Sequence, residues 1–310
     1  TIYLFFGGFL IATAIQKWDL HKRIALFVLE NTGSNGASLI LGFMLTAALI
    51  SMWVMNTATT IMLLPIGLAV ITVVKETVKG LSQKETENFQ LALLLGIAYG
   101  ATIGGMSTLI GTGPNGMLAA FMADNYDLDI SFVDWMKVGV PLSAVMLPAS
   151  WLVLTRIIYP VKFQTSQETT NLLSSMKNEL GVLQGPEMKI LIIFILTALA
   201  WMFRTVLDDI PFLNGLSDSG IAMMSALFLF LLPRGHEEKK GALLEWEDAQ
   251  KGVPWGLLVL FGGGLSLANA VQTTGLAVWM GNLIPQGISL VLIVILVVTL
   301  IIFLTELTSN

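Results

Sequence analysis

The run SMWVMNTATTIMLLPIG, Ser51 to Gly67, is almost wholly apolar, yet it carries Asn56 and Thr57 near its middle. Amide and hydroxyl oxygens are hard, neutral donors suited to Na⁺. The matching N–H and O–H groups can also hold a carboxylate. Ser51 adds a hydroxyl five residues before the amide. The same residue types recur at the other end of the chain in TELTSN, Thr305 to Asn310, where hydroxyl aligns with hydroxyl and Asn with Asn. A lone Asn in an apolar run can simply join two helices through hydrogen bonds. The matched Asn310 argues for a binding role instead. GTGPNG, Gly111 to Gly116, interrupts another apolar stretch. No Lys-Ser/Thr follows it, so it is not a phosphate loop, and it is expected to break a helix beside the site. Glu306, an acid inside an apolar run next to that site, is a candidate for proton coupling or for a structural hydrogen bond.

The elements that must position these residues are membrane helices. The chain has 310 residues, 55% of them hydrophobic and only 12% charged, about half the charge of a soluble domain. Apolar runs long enough to cross a bilayer recur along it. The net charge of -5 is spread over loops and suggests no nucleic-acid partner. With no cysteine, disulfides, zinc thiolates and thiol catalysis are excluded. His21 and His236 fall in charged stretches and are expected to be solvated. No HExxH or GxSxG constellation appears, and no paired nucleophile and base can be assembled, so no catalytic residue and no enzyme activity are expected. Thr1 runs at once into apolar sequence and Asn310 follows a long apolar run; the expectation is a fragment of a longer protein.

Spans are expected at about 2–15, 89–109, 138–159, 190–203, 221–232, 255–280 and 288–310. An apolar stretch at 37–74 is interrupted at Asn56–Thr57 and at Pro65, and a charged loop is expected at 75–88. Trp18, Trp135, Trp201 and Trp246 read as interfacial belt residues, and Arg204 as a snorkelling side chain. Lysines and arginines concentrate in alternate loops, which favours one threading with the basic loops in the cytoplasm. That threading requires 37–74 to leave and return on the cytoplasmic side, as two spans or as one re-entrant hairpin.

The chain also repeats itself. FFGGFLIATAIQKWDL (Phe5 to Leu20) matches FGGGLSLANAVQTTGL (Phe261 to Leu276), with Gln16 and Gln272 offset by 256. SMWVMN and TELTSN match at an offset of 254. Two segments in the same order at nearly the same spacing indicate an internal duplication. The loop charges give the two copies opposite orientations in the membrane. Inverted repeats with paired broken helices, holding ions and substrate near the midplane, are a signature of secondary transporters. A channel or an intramembrane enzyme is the reading from another class. The expected fold is an all-α polytopic membrane protein with inverted-topology repeats, two re-entrant hairpins (about 37–74 and 287–310) and broken helices (about 89–123 in the first copy). Residues 1–160 form the first repeat, 161–189 a cytoplasmic connection, and 190–310 the second repeat, truncated within its hairpin.

Through SMWVMNTATTIMLLPIG, GGMSTLIGTGPNG and FLTELTSN the chain resembles the divalent-anion:sodium symporter family of the ion-transporter superfamily. The resemblance implies a Ser-Asn-Thr triplet at the tip of each hairpin. It implies Na⁺-coupled symport of C4-dicarboxylates (succinate, malate, fumarate) by an elevator motion, in a homodimer in the bacterial inner membrane. Exchange, or transport of citrate or sulfate, is the alternative. Carried onto this sequence, the resemblance places Ser51, Asn56 and the backbone of Met55 and Gly111 at one Na⁺. It places Thr305, the backbone of Thr308, and Asn310 at a second. Asn56, Thr57, Thr112, Ser309 and Asn310 would face the substrate. Met55 stands where the family has the first serine, so a hydroxyl is missing there.

Overall fold

The computed structural model describes residues 2–33, 35–235, 241–282 and 288–307, with side chains through residue 304. Its described residues are almost entirely helical, with two isolated β-bridges and no strand. Among the described residues five helices are long and apolar enough to cross a membrane: Asn56–Thr77, Gln83–Gly105, Phe132–Ile158, Gly185–Met202 and Trp255–Thr273. The chain is a multi-pass membrane protein. It divides into two compact units, Thr1–Phe261 and Gly262–Asn310.

In the first unit α1 (Ile2–Lys17) ends in a sharp turn at Asp19, whose φ of 54° is left-handed, and α2 (Leu20–Glu30) follows. α3 (Gly36–Ser51) and α4 (Asn56–Thr77) form a helical hairpin with its tip at 52–55. At 1.5 Å per residue α3 is about 24 Å long and α4 about 33 Å, so of the two arms only α4 matches the roughly 30 Å of a hydrocarbon core. α5 (Gln83–Gly105) starts on a Ser82–Glu85 capping box. α6 (Gly113–Tyr126) continues it after a break at 106–112. α7 (Phe132–Leu152) runs on through π-helical turns at Val153–Ile158. Then come α8 (Gln167–Glu179), α9 (Gly185–Met202), α10 (Arg204–Asp208), α11 (Asp218–Leu231) and α12 (Trp246–Gly252). α13 (Trp255–Thr273) crosses from the first unit into the second, which also holds α14 (Leu276–Asn282) and α15 (Leu290–Leu307).

The hairpin is held by a stripe of glycines. Gly96, Gly100 and Gly104 lie four apart on one face of α5. A Cβ on Gly100 would sit 2.5 Å from the Met44 carbonyl oxygen of α3, and one on Gly104 would strike the Ala48 backbone. Helices with no hydrophobic drive between them in lipid gain from such close backbone approach. The core here joins Ile40, Phe43, Met44 and Ala47 of α3 to Phe89, Leu93 and Ile97 of α5.

The internal duplication extends to helix boundaries. α1 ends at Lys17 and α13 at Thr273, while α2 begins at Leu20 and α14 at Leu276, both at the 256 offset. α3 begins at Gly36 and α15 at Leu290, at the 254 offset. The shared order is therefore helix, two-residue turn, helix, then a further helix.

Several expectations are corrected. α4 passes through Pro65 without a break. The charged stretch 75–88 is mostly helix, its loop being only 78–82. The connection 161–189 contains α8, and 255–280 is two helices, broken where Gly275 takes a φ of 76°. His21 is buried rather than solvated, its Nδ1 3.3 Å from the Ile15 carbonyl oxygen; His236 lies outside the described residues. Arg204 does not snorkel but pairs with Asp218 and Asp129, each at 3.5 Å. Trp201 is buried, stacked on Phe132 with centroids 4.6 Å apart. Trp18 and Trp135 are half-buried and donate their ring N–H to Leu243 and Met106 carbonyls. A buried ring N–H needs an acceptor; Trp18 ties the α1–α2 turn to the loop before α12, and Trp135 ties α7 to the break after α5. Trp246 is exposed.

Candidate functional site

The site grows out of two helix interruptions packed against each other. α3 stops at Ser51 and α4 restarts at Asn56. Ser51 Oγ lies 2.8 Å from Asn56 Oδ1 and 3.2 Å from the Val54 carbonyl oxygen, so a single hydroxyl spans the tip. Opposite it, α5 stops at Gly105 and α6 restarts at Gly113. Asn115 is buried there and donates through Nδ2 to the carbonyls of Gly105 (3.0 Å) and Thr108 (2.7 Å), closing the broken segment.

The two interruptions touch. A Cβ on Gly105 would strike the Asn56 side-chain amide. A Cβ on Gly111 would lie 2.5 Å from the Gly105 carbonyl oxygen and 2.9 Å from that of Ser51. Only a residue without a side chain lets these oxygens converge. The Thr108 hydroxyl donates to the Met52 carbonyl and accepts the Gly111 N–H at 3.1 Å. The Ser51 and Gly105 carbonyls thus flank Gly111, while Asn56 Oδ1, bonded to Ser51 Oγ, lies against Gly105. These are all neutral oxygen donors, which suit a hard cation rather than a soft metal. Among the described residues no cluster of His, Cys, Asp or Glu could hold a metal ion.

Two helix N-termini open beside this cluster. The N-caps of α4 and α6 are Met55 and Thr112, and neither makes a side-chain capping bond. First-turn N–H groups are thus left for a ligand, with the positive helix ends favouring an anion. Thr57 is exposed, and Asn56 and Thr112 are half-buried, so all three are within reach of a solute. Met55 is half-buried and packs against the cluster built on Phe5, Phe9 and Leu10 of α1.

Surrounding helices brace both interruptions. Trp53 at the tip meets Phe132, Phe194 and Trp201, with centroids at 5.9, 4.8 and 6.2 Å. Ser143 of α7 donates to the Ile103 carbonyl at 2.7 Å and accepts from Ser107 at 2.9 Å. Gly113 and Gly116 leave room for Phe261 and Phe5, whose rings are 4.9 Å apart.

The structure therefore brings together Ser51, Met55, Asn56, Thr57, Gly111 and Thr112 from the sequence reading. The side chains of Thr305, Glu306, Thr308, Ser309 and Asn310 lie outside the described residues. The GTGPNG segment is placed differently from expectation. The break at 106–112 takes in only Gly111 and Thr112 of it, and Gly113–Gly116 is already the first turn of α6, because Pro114 fits a helix start where no N–H is needed. Thr108, Asn115, Gly105 and Trp53 were not singled out. The legible signals were an Asn directly after a first-turn Pro and glycines recurring four apart.

A helical hairpin tip is thus set against a broken helix, with oxygen donors and uncapped helix ends at the junction, inside a membrane protein of apolar helices. The chain belongs to the family described as the sodium:sulfate symporter transmembrane region, whose model matches residues 1–310. A sodium-dependent dicarboxylate transporter, SdcS, of Staphylococcus saprophyticus is 38% identical over 313 residues, covering 100% of this chain and 60% of that protein. The Staphylococcus aureus proteins of the same name from strains USA300 and NCTC 8325 are each 37% identical with the same coverage. The chain thus spans about 60% of the length of the curated relatives it matches.

Proposed function

We propose that this chain forms part of a secondary active transporter that couples Na⁺ to the movement of a C4-dicarboxylate such as succinate, malate or fumarate. The observation that carries the reading is the meeting of the two interruptions, with the Ser51 and Gly105 carbonyls flanking Gly111 and Asn56 Oδ1, bonded to Ser51 Oγ, lying against Gly105. These oxygens would hold one Na⁺, with the Met55 and Gly111 carbonyls completing its shell. The first turns of α4 and α6, with Asn56, Thr57 and Thr112, would hold one carboxylate. Bound Na⁺ beside these helix ends adds positive charge, so cation and dianion favour each other's binding. Thr305, Thr308, Ser309 and Asn310 would supply the second Na⁺ and the other carboxylate from the second repeat. The names of the staphylococcal relatives support both sodium dependence and a dicarboxylate.

The larger architecture follows from the duplication. Residues 1–160 and 190–310 would be repeats of opposite orientation, joined by 161–189, with the site at the midplane between them. The remaining expectations are a rigid transport body that slides elevator-fashion, a homodimer, and a place in the bacterial inner membrane. The family description favours an inorganic dianion, sulfate, as a second reading.

The test is uptake of radiolabelled succinate by the full-length protein in proteoliposomes, with and without an inward Na⁺ gradient, and with sulfate and citrate as competitors. Gradient-driven succinate uptake is expected. Uptake that needs a counter-dicarboxylate and ignores Na⁺ would replace symport by exchange, and preferential inhibition by sulfate would favour the second reading.

A further inference from the structure

We infer that Thr108 is a positioning residue for the cation: it sets the spacing between the two walls of the oxygen cluster without itself being a ligand. The inference rests on the proposed Na⁺ coupling and assigns a role inside the same site.

Thr108 is fully buried. Its hydroxyl reaches in two directions, donating to the Met52 carbonyl at the hairpin tip and accepting the Gly111 N–H at 3.1 Å. Its own carbonyl accepts from Asn115 at 2.7 Å, and Asn115 also holds the Gly105 carbonyl at 3.0 Å. One side chain therefore joins the backbone beside Ser51 to the backbone at Gly111, and one amide fixes it to Gly105. These are the residues whose oxygens converge. The hydroxyl has one proton and uses it on Met52, so its remaining lone-pair capacity is partly spent on Gly111.

Without the hydroxyl, the Met52 carbonyl and the Gly111 N–H are both left unpaired in a buried place. An unmet buried polar group is costly, and a small separation of tip and break lets water or another group satisfy it. That separation would spread the Ser51 carbonyl away from Gly111 and the Asn56 amide oxygen away from Gly105. Groups that orient metal ligands without touching the ion typically change metal affinity 10–100-fold when removed. The groups proposed to face the anion, Thr57 and Thr112, are not hydrogen-bonded to Thr108, so substrate recognition at saturating Na⁺ should be spared.

The experiment uses the full-length protein in proteoliposomes and compares wild type with Thr108→Val, Thr108→Cys and Thr108→Ser. Thr108→Val fills the same volume without a hydroxyl. The half-activating Na⁺ concentration for succinate uptake is expected to rise about tenfold or more, with KM for succinate at saturating Na⁺ within about twofold of wild type. Thr108→Ser is expected to restore Na⁺ activation. Thr108→Cys, a weak hydrogen-bonder of similar size, is expected to shift it in the same direction by a smaller factor, and it carries the test if Thr108→Val does not insert. The Na⁺-dependent rise in melting temperature of the purified proteins, measured without substrate, should follow the same order. Wild-type Na⁺ activation in Thr108→Val or Thr108→Cys would overturn the inference. So would a lowered melting temperature with unchanged Na⁺ activation, or failure of Thr108→Ser to rescue. If wild type itself shows neither Na⁺-driven uptake nor a Na⁺-dependent melting shift, it is the functional reading that falls.

Discussion

Ser51 Oγ lies 2.8 Å from Asn56 Oδ1 and links the last residue of one hairpin arm to the first residue of the next. The bond closes a four-residue gap in which the chain reverses without a charged group. It also holds two side-chain oxygens together at the tip, with the Asn56 oxygen against Gly105 of the broken helix. The same pair that shapes the turn is therefore the pair assigned to the cation.

Gly105, on the opposite wall, lies against the Asn56 side chain. Gly105→Ala would drive a methyl group into the Asn56 amide. Overpacking of this kind typically costs about 1–3 kcal/mol. Asn56 can relieve it by turning away from Ser51, so the loss is expected in cation binding more than in folding. Na⁺ activation curves for Gly105→Ala should move to about tenfold higher concentration or beyond. An unmoved curve would show that Asn56 can yield without consequence for the ion.

Met55 packs its half-buried side chain on the α1 cluster of Phe5, Phe9 and Leu10. Met55→Ser is expected to cost about 1–2 kcal/mol of stability, below the range for a fully buried methionine. The carbonyl at position 55 is common to both residues, so Na⁺ activation should not change, and KM for succinate should stay within about twofold. Thermal melts and uptake kinetics check this together. A large fall in KM would place the position-55 side chain against the substrate.

His21 lies in α2, outside the candidate spans, and burial pushes its pKa below the ordinary imidazole value. The Ile15 carbonyl and Asp19 oppose that shift, and Lys22 reinforces it. With a folded pKa below the unfolded one, the unfolded chain binds more protons in that interval. Stability should therefore fall as pH drops below about 6.5 and level off beneath the folded pKa. Melting temperature measured from pH 8 to pH 5 should decline less in His21→Gln than in wild type. Equal slopes would show that His21 does not contribute.

Much of this was readable in the residues, for reasons specific to each place. Asn56 and Thr57 stood out because an amide and a hydroxyl are expensive in apolar surroundings. The match between the two ends of the chain was visible because Gly7, Gly8 and Gln16 align with Gly263, Gly264 and Gln272, and three pairs of helix boundaries fall at the same offsets. Pro65 misled, since a proline inside a membrane helix can be accommodated by local adjustment and α4 continues through it. His21 and Trp201 misled for another reason. Their local sequence is charged or terminal, and only tertiary packing of α1, α7 and α9 buries them. Thr108 and Asn115 were overlooked because their role depends on which backbone groups the fold leaves unpaired, and composition does not record that.

The central claim is that the oxygens at the hairpin tip hold the Na⁺ that drives transport. Its most direct test is the initial rate of Na⁺-gradient-driven succinate uptake by Asn56→Ala, at matched protein amount in proteoliposomes and with the melting temperature measured in parallel. Asn56 supplies both a candidate cation oxygen and an N–H for a carboxylate, so uptake is predicted to fall to the level seen without a gradient while the fold persists. Near-normal uptake with unchanged Na⁺ dependence would contradict the account and reduce Asn56 to a hydrogen bond between helices.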